Sequence, residues 1–113
     1  MELEEYFSTG PAHERPIFDA VVAAISDVGP IHIEPVSVGI FLKRARTFAE
    51  LRPKQRWVAL SFSLPYRVAH PTIVRRVERY GNRYFHVANL ARPEEFDDQL
   101  RDWVIEAYLD SPE

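Results

Sequence analysis

Histidine is the residue of this chain most suited to proton transfer or ligand binding, and one of the four is placed for it. His86 sits between apolar residues, two positions after Tyr84. A fixed imidazole there could act as a general base or hold an anion, so His86 and Tyr84 are the candidate pocket residues. The plainer reading is a partly buried ring hydrogen-bonded to a neighbour. His32 and Glu34, two apart on one strand, share a face as two metal ligands would. A metal site needs three or four ligands, and no further cluster accompanies them, so neither metal nor cofactor is expected. His13 and His70 read as surface residues. There is no nucleophile elbow, P-loop, GxGxxG or HExxH. All six Asp fall in or beside the two main helices, away from the strands where a metal-dependent nuclease would need carboxylates. Catalysis therefore has no support in the residues.

A stronger signal lies in the charge. The chain carries −3 overall, but residues 1–42 sum to −6, residues 43–83 to +9 and residues 84–113 to −6. Lys43, Arg44, Arg46, Arg52, Lys54 and Arg56 surround two turns, and Arg75, Arg76, Arg79 and Arg83 lie along a later hairpin. Phe41, Phe48, Trp57, Tyr66, Tyr80 and Phe85 are interleaved with them. Cations among aromatics on a sheet are what single-stranded nucleic acid binding uses. The competing reading is a solvated surface whose charges discourage edge-to-edge strand pairing. A pI near 5.8 also sits below that of a dedicated nucleic-acid binder. Lys43, Arg44, Arg46, Arg75, Arg76, Arg79 and Arg83 are the candidate anion-binding residues.

The elements that must position these groups follow from periodicity. Residues 56–64 alternate strictly, with Val58, Leu60, Phe62 and Leu64 on one face and Trp57, Ala59, Ser61 and Ser63 on the other. This is a central strand with one apolar face and one small, partly polar face that something could approach closely. Further strands are expected at 31–36, 38–43, 47–51, 74–80 and 83–90. Gly81-Asn82 joins the last two as a type II′ turn, which pairs Tyr80 with Arg83, Glu78 with Phe85, Val77 with His86 and Arg76 with Val87. Residues 13–28 show an apolar stripe of Ile17, Val21, Ala24, Ile25 and Val28, with Pro16 tolerated in the first turn. Residues 93–109 carry a second stripe of Phe96, Leu100, Trp103, Val104, Ala107 and Tyr108, and Pro93 suits a helix start. A short helical turn is expected before Gly10. The class is α+β: one domain over 1–113, with a mostly antiparallel sheet of about six strands and the N- and C-terminal helices on one face.

This order of segments resembles the small bacterial DUF5655 family, from about residue 7 to 110. The pieces that carry the likeness are Phe41-Leu-Lys-Arg with Phe48, the Tyr84-Phe-His86-Val strand, and Trp103 with Ala107-Tyr108. The resemblance implies a single domain of this fold and a histidine at position 86. The family is one of unknown function, so it implies no reaction.

The absence of cysteine suits a reducing cytoplasm, and no signal segment or span of ~20 apolar residues is visible. The expected function is a cytoplasmic binding module whose basic sheet surface engages an anionic partner, nucleic acid or an acidic protein. The alternatives are a small-ligand protein or enzyme with a pocket near His86, and a self-associating domain forming a homodimer through its acidic and basic thirds. The hairpin register puts His86 on one face with Val77, Ala88 and Leu90; either face of the hairpin could meet the helices, and the cost of burying Arg76 and Glu78 favours the face with His86. Burial there would lower its pKa.

Overall fold

In the computed structural model, residues 1–110 are described. The helices are α1 (Leu3–Phe7), α2 (Glu14–Ser26) and α3 (Asp98–Leu109). The strands are β1 (His32–Val36), β2 (Gly39–Lys43), β3 (Thr47–Pro53), β4 (Val58–Leu64), β5 (Glu78–Tyr80) and β6 (Arg83–Leu90). They form one six-stranded sheet in the order β1-β2-β3-β4-β6-β5, and every neighbouring pair is antiparallel. Among the described residues no helix is long and apolar enough to cross a membrane.

Cross-strand pairing builds the core in rows. Leu51 faces Leu60, which faces Ala88; Ala49 faces Phe62, which faces His86; Val58 faces Leu90. These side chains share a side of the sheet because strand side chains alternate. They are closed off by Ile17, Val21 and Ile25 of α2 and by Leu100, Val104 and Tyr108 of α3. The helices pack on each other, and α3 lies across β3 and β4. The Tyr108 hydroxyl donates to the Pro30 carbonyl at 2.7 Å, tying the end of α3 to the turn after α2. On β3, Phe48 is the extra residue of a bulge opposite the Leu42–Lys43 step. That insertion lets its ring reach Tyr108, with centroids 5.2 Å apart in an edge contact.

Three expectations need correction. Pro93 begins only a 3-10 turn, Pro93–Glu95, and α3 starts at Asp98. The reason is Asp97, whose carboxylate accepts from the Leu100 N–H at 3.0 Å and caps the helix there. The expected strand 74–80 shrinks to Glu78–Tyr80, so the pairs Tyr80–Arg83 and Glu78–Phe85 form but Val77 and Arg76 have no strand partners. Trp103 is only partly buried, because its ring stacks on Phe62 at the margin of the core rather than within it. Gly81, with φ +60°, is the described residue in the left-handed region. A positive φ at the first turn position alone is the type II′ signature.

The shortened β5 frees residues 65–77 to act as a strap. Tyr66 donates to Glu106 at 2.6 Å, and His70 meets Asp97 at 2.9 Å, both on the α3 side. The Thr72 carbonyl then accepts from the Asn89 N–H at 3.0 Å, pairing β6 where β5 has ended.

Candidate functional site

His86 has no exposed surface. Its ring stacks on Phe62, 5.2 Å away and tilted by 10°, and its Nε2 accepts from the Val68 N–H at 3.1 Å. The proton of the neutral ring therefore sits on Nδ1, which has no hydrogen-bond partner among the described residues. Burial pushes its pKa below the usual histidine value, and the backbone of Tyr84 and Phe62 opposes this only in part. The N–H aimed at Nε2 also favours the neutral ring. His86 thus anchors the strap to the core. Tyr84 lies on the same side, under the guanidinium groups of Arg67 and Arg79 at 5.5 and 5.7 Å from its ring. Neither residue lines any of the clefts described below.

Among the described residues no helix covers the middle of the opposite side of the sheet; the end of α3 reaches its rim, where Ala107 and Asp110 help to line a cleft. Along β4 its floor is Ala59, Ser61 and Ser63, paired with Asn89, Val87 and Phe85 of β6. Three clefts run into one another over this floor. One of about 290 Å³ is flanked by Arg46, Phe48, Ser63, Arg83 and Asp110. A middle one of about 100 Å³ lies among Phe48, Glu50, Ser61 and Phe85. The third, of about 270 Å³, is walled by Arg52, Lys54, Arg75 and Val87. Ser63 is common to the first two, and Glu50, Ser61 and Phe85 to the last two. They form one groove with cations at both ends, separated by four residues of β4 or about 13 Å. Phe85 and the exposed Tyr80 meet edge to face at 6.3 Å on the β6–β5 side.

Two acids temper the charge. Asp110 pairs with Arg83 at 2.9 Å, while Arg83 also donates to the Ser63 carbonyl at 2.9 Å. Glu50 lies 3.6 Å from Arg52. No ion pair engages Lys54 or Arg75 among the described residues.

Of the seven cations singled out in the sequence, Arg46, Arg75 and Arg83 therefore come together, joined by Arg52 and Lys54. The other four do not. Lys43 pairs with Glu34 at 2.8 Å, which holds that carboxyl below its usual range. Arg44 lies over the Tyr108 ring at 4.6 Å. Arg79 donates to the Gly81 carbonyl within its own turn, and Arg76 is exposed on the strap. Glu34 is thus engaged by Lys43 beside His32, and among the described residues no group of three or more His, Cys, Asp or Glu could hold a metal ion.

Glu14 escaped the sequence reading. It is fully buried in the first turn of α2, where the Tyr6 hydroxyl donates to its Oε2 at 2.5 Å. The clue was its spacing: Glu14, Ile17, Phe18, Val21 and Ile25 fall on one helical stripe. Burial raises its pKa, against the Tyr6 hydrogen bond and the charge of His13. Asp110 carries no such signal, since it meets Arg83 only when α3 ends beside β6.

No curated protein and no solved structure matches the chain. The model of a family described as a domain of unknown function, DUF5655, matches residues 3–111, and the chain belongs to that family.

Proposed function

We propose that the protein is a binding module whose uncovered sheet face takes an extended anionic polymer, with single-stranded nucleic acid as the ligand of choice. The observation that carries this reading is the continuous groove with Arg46 and Arg83 at one end and Arg52, Lys54 and Arg75 at the other. Its floor of alanine and serine lets a chain lie close, and Phe85 and Tyr80 offer faces on which bases can stack. The two cation clusters suit charges repeated along a strand better than a single small anion. A chain without cysteine suits action in the cytoplasm.

Fluorescence anisotropy with a labelled single-stranded oligonucleotide tests this. Binding is expected at low salt, with log K falling by about 0.7 per phosphate neutralised for each log unit of salt. Replacing Arg52, Lys54 and Arg75 together by Glu should abolish it. Absence of binding at low salt overturns the reading. Binding to polyglutamate but not to the oligonucleotide would identify an acidic protein segment as the partner. Sedimentation at low and high salt would detect a second copy in the groove.

A further inference from the structure

A separate cleft of about 350 Å³ opens between α1, the turn at residues 8–13 and the β1–β2 turn, sharing no lining residue with the groove. Glu14 forms part of its inner wall. Oε2 is satisfied by Tyr6, but Oε1 is buried and has no hydrogen-bond partner among the described residues. Leaving one oxygen of a buried carboxyl unpaired is costly, and such a group calls for a donor. Gly10 stands over this buried oxygen, and a methyl group there would sit 3.0 Å from Oε1. Among the described residues no Lys or Arg lines the cleft, and its other charged side chain is Glu5. Val36 and Pro53 supply an apolar wall. The volume falls within the range of small-molecule sites.

We propose that this cleft binds a small organic cation, a protonated primary amine whose ammonium donates to Oε1 of Glu14 while its hydrocarbon lies along Val36 and Pro53. The buried Oε1, a carboxyl oxygen of the inner wall without a donor, selects the ammonium end of such a molecule, and Glu5 in the same lining adds to its attraction for a cation. The hydrocarbon then excludes water from the ion pair, which strengthens it. Glu14 is faced by the Tyr6 hydroxyl from α1 and feels the charge of His13 beside it, and Glu5 of α1 lines the same cleft. Binding favours the ionised carboxylate, so affinity rises with pH through the Glu14 titration and the amine lowers the Glu14 pKa in return.

The test uses the full chain with n-butylammonium as probe and 1-butanol as its uncharged control, followed by NMR of the Tyr6, Gly10 and Ser37 amides and the Glu14 carboxyl carbon. The expected result is saturable amide shifts with butylammonium alone and a downward move of the Glu14 titration when it is bound. Glu14→Gln should weaken binding by about tenfold or more. Should that variant not fold, Gly10→Ala, which crowds Oε1, should weaken binding in the same sense. Equal response to butanol, no saturable shift, an unmoved Glu14 titration, or unchanged affinity in the variants overturns the proposal. A Glu14 oxygen satisfied by water or by its own proton would give these latter results.

Discussion

The two faces of one sheet are built from the same strands and do opposite things. On the helix side, Val58, Leu60, Phe62 and Leu64 of β4 are almost wholly inaccessible, and α2 and α3 complete a continuous core. On the other side, Ala59 and Ser61 of the same strand are also nearly inaccessible, at 5 % and 6 %. Among the described residues no helix covers them. They are screened by the longer side chains around them, Arg52, Glu50, Phe85 and Arg75, which leave a groove between them. Burial on the first face comes from interlocking apolar shapes. Burial on the second comes from long side chains, most of them charged, standing over a small floor.

The comparison breaks most visibly on stability. Phe62→Ala, on the covered face, should cost about 3–5 kcal/mol in urea denaturation. Phe85→Ala, on the groove face, should cost roughly 1 kcal/mol, because its ring is only partly buried. Similar losses at both positions would mean that the two faces are equally part of the core.

Next in size is the charge reversal of Arg52, Lys54 and Arg75. It should abolish oligonucleotide binding yet move stability by only about 0.5 kcal/mol per site. Reversal of Arg76 and Arg79, which stand outside the groove, should leave binding within about twofold once general charge effects are matched by salt. Equal losses from both sets would replace a defined groove with a diffuse basic surface.

A dependence on pH marks the covered face. His86 is buried neutral, with a folded pKa pushed down by burial. The unfolded chain therefore binds a proton that the folded one refuses. Stability from this residue is fully present above the unfolded pKa of about 6.5 and is lost as pH falls from there through the folded pKa. His86→Phe should lower stability at pH 7.5 by about 1–2 kcal/mol, through the unpaired Val68 N–H, and should flatten the dependence between pH 7 and pH 5. Urea midpoints across that interval check both. Glu14 has the reverse sign: its raised folded pKa makes its contribution complete below the unfolded pKa and lost as pH rises through the folded one.

Much of this architecture was legible in residue order. Alternation along 56–64 and 83–90 specified the two central strands, and along 56–64 the inward face as well. The Gly81-Asn82 pair specified the hairpin register and so which residues share a face with His86, while packing against the helices decided that this face is the inward one. The stripes of α2 and α3 specified which helix faces turn to the sheet. These are local properties, because a side chain's direction depends on its own backbone period.

Tertiary structure decided what distance in the chain concealed. It chose Asp97 over Pro93 as the start of α3, because the carboxylate meets both the Leu100 N–H and His70. It ended β5 at Glu78, because the strap takes the β6 edge through Thr72 and Asn89. It sorted the cations, taking Arg44 to Tyr108 and Lys43 to Glu34 while gathering Arg46, Arg52, Lys54, Arg75 and Arg83 around one floor. It buried Glu14 against Tyr6, eight residues away across a turn. The physical reason is common to all four: a charged or hydrogen-bonding group is committed by its partner, and in a folded chain that partner is set by three-dimensional packing rather than by sequence spacing.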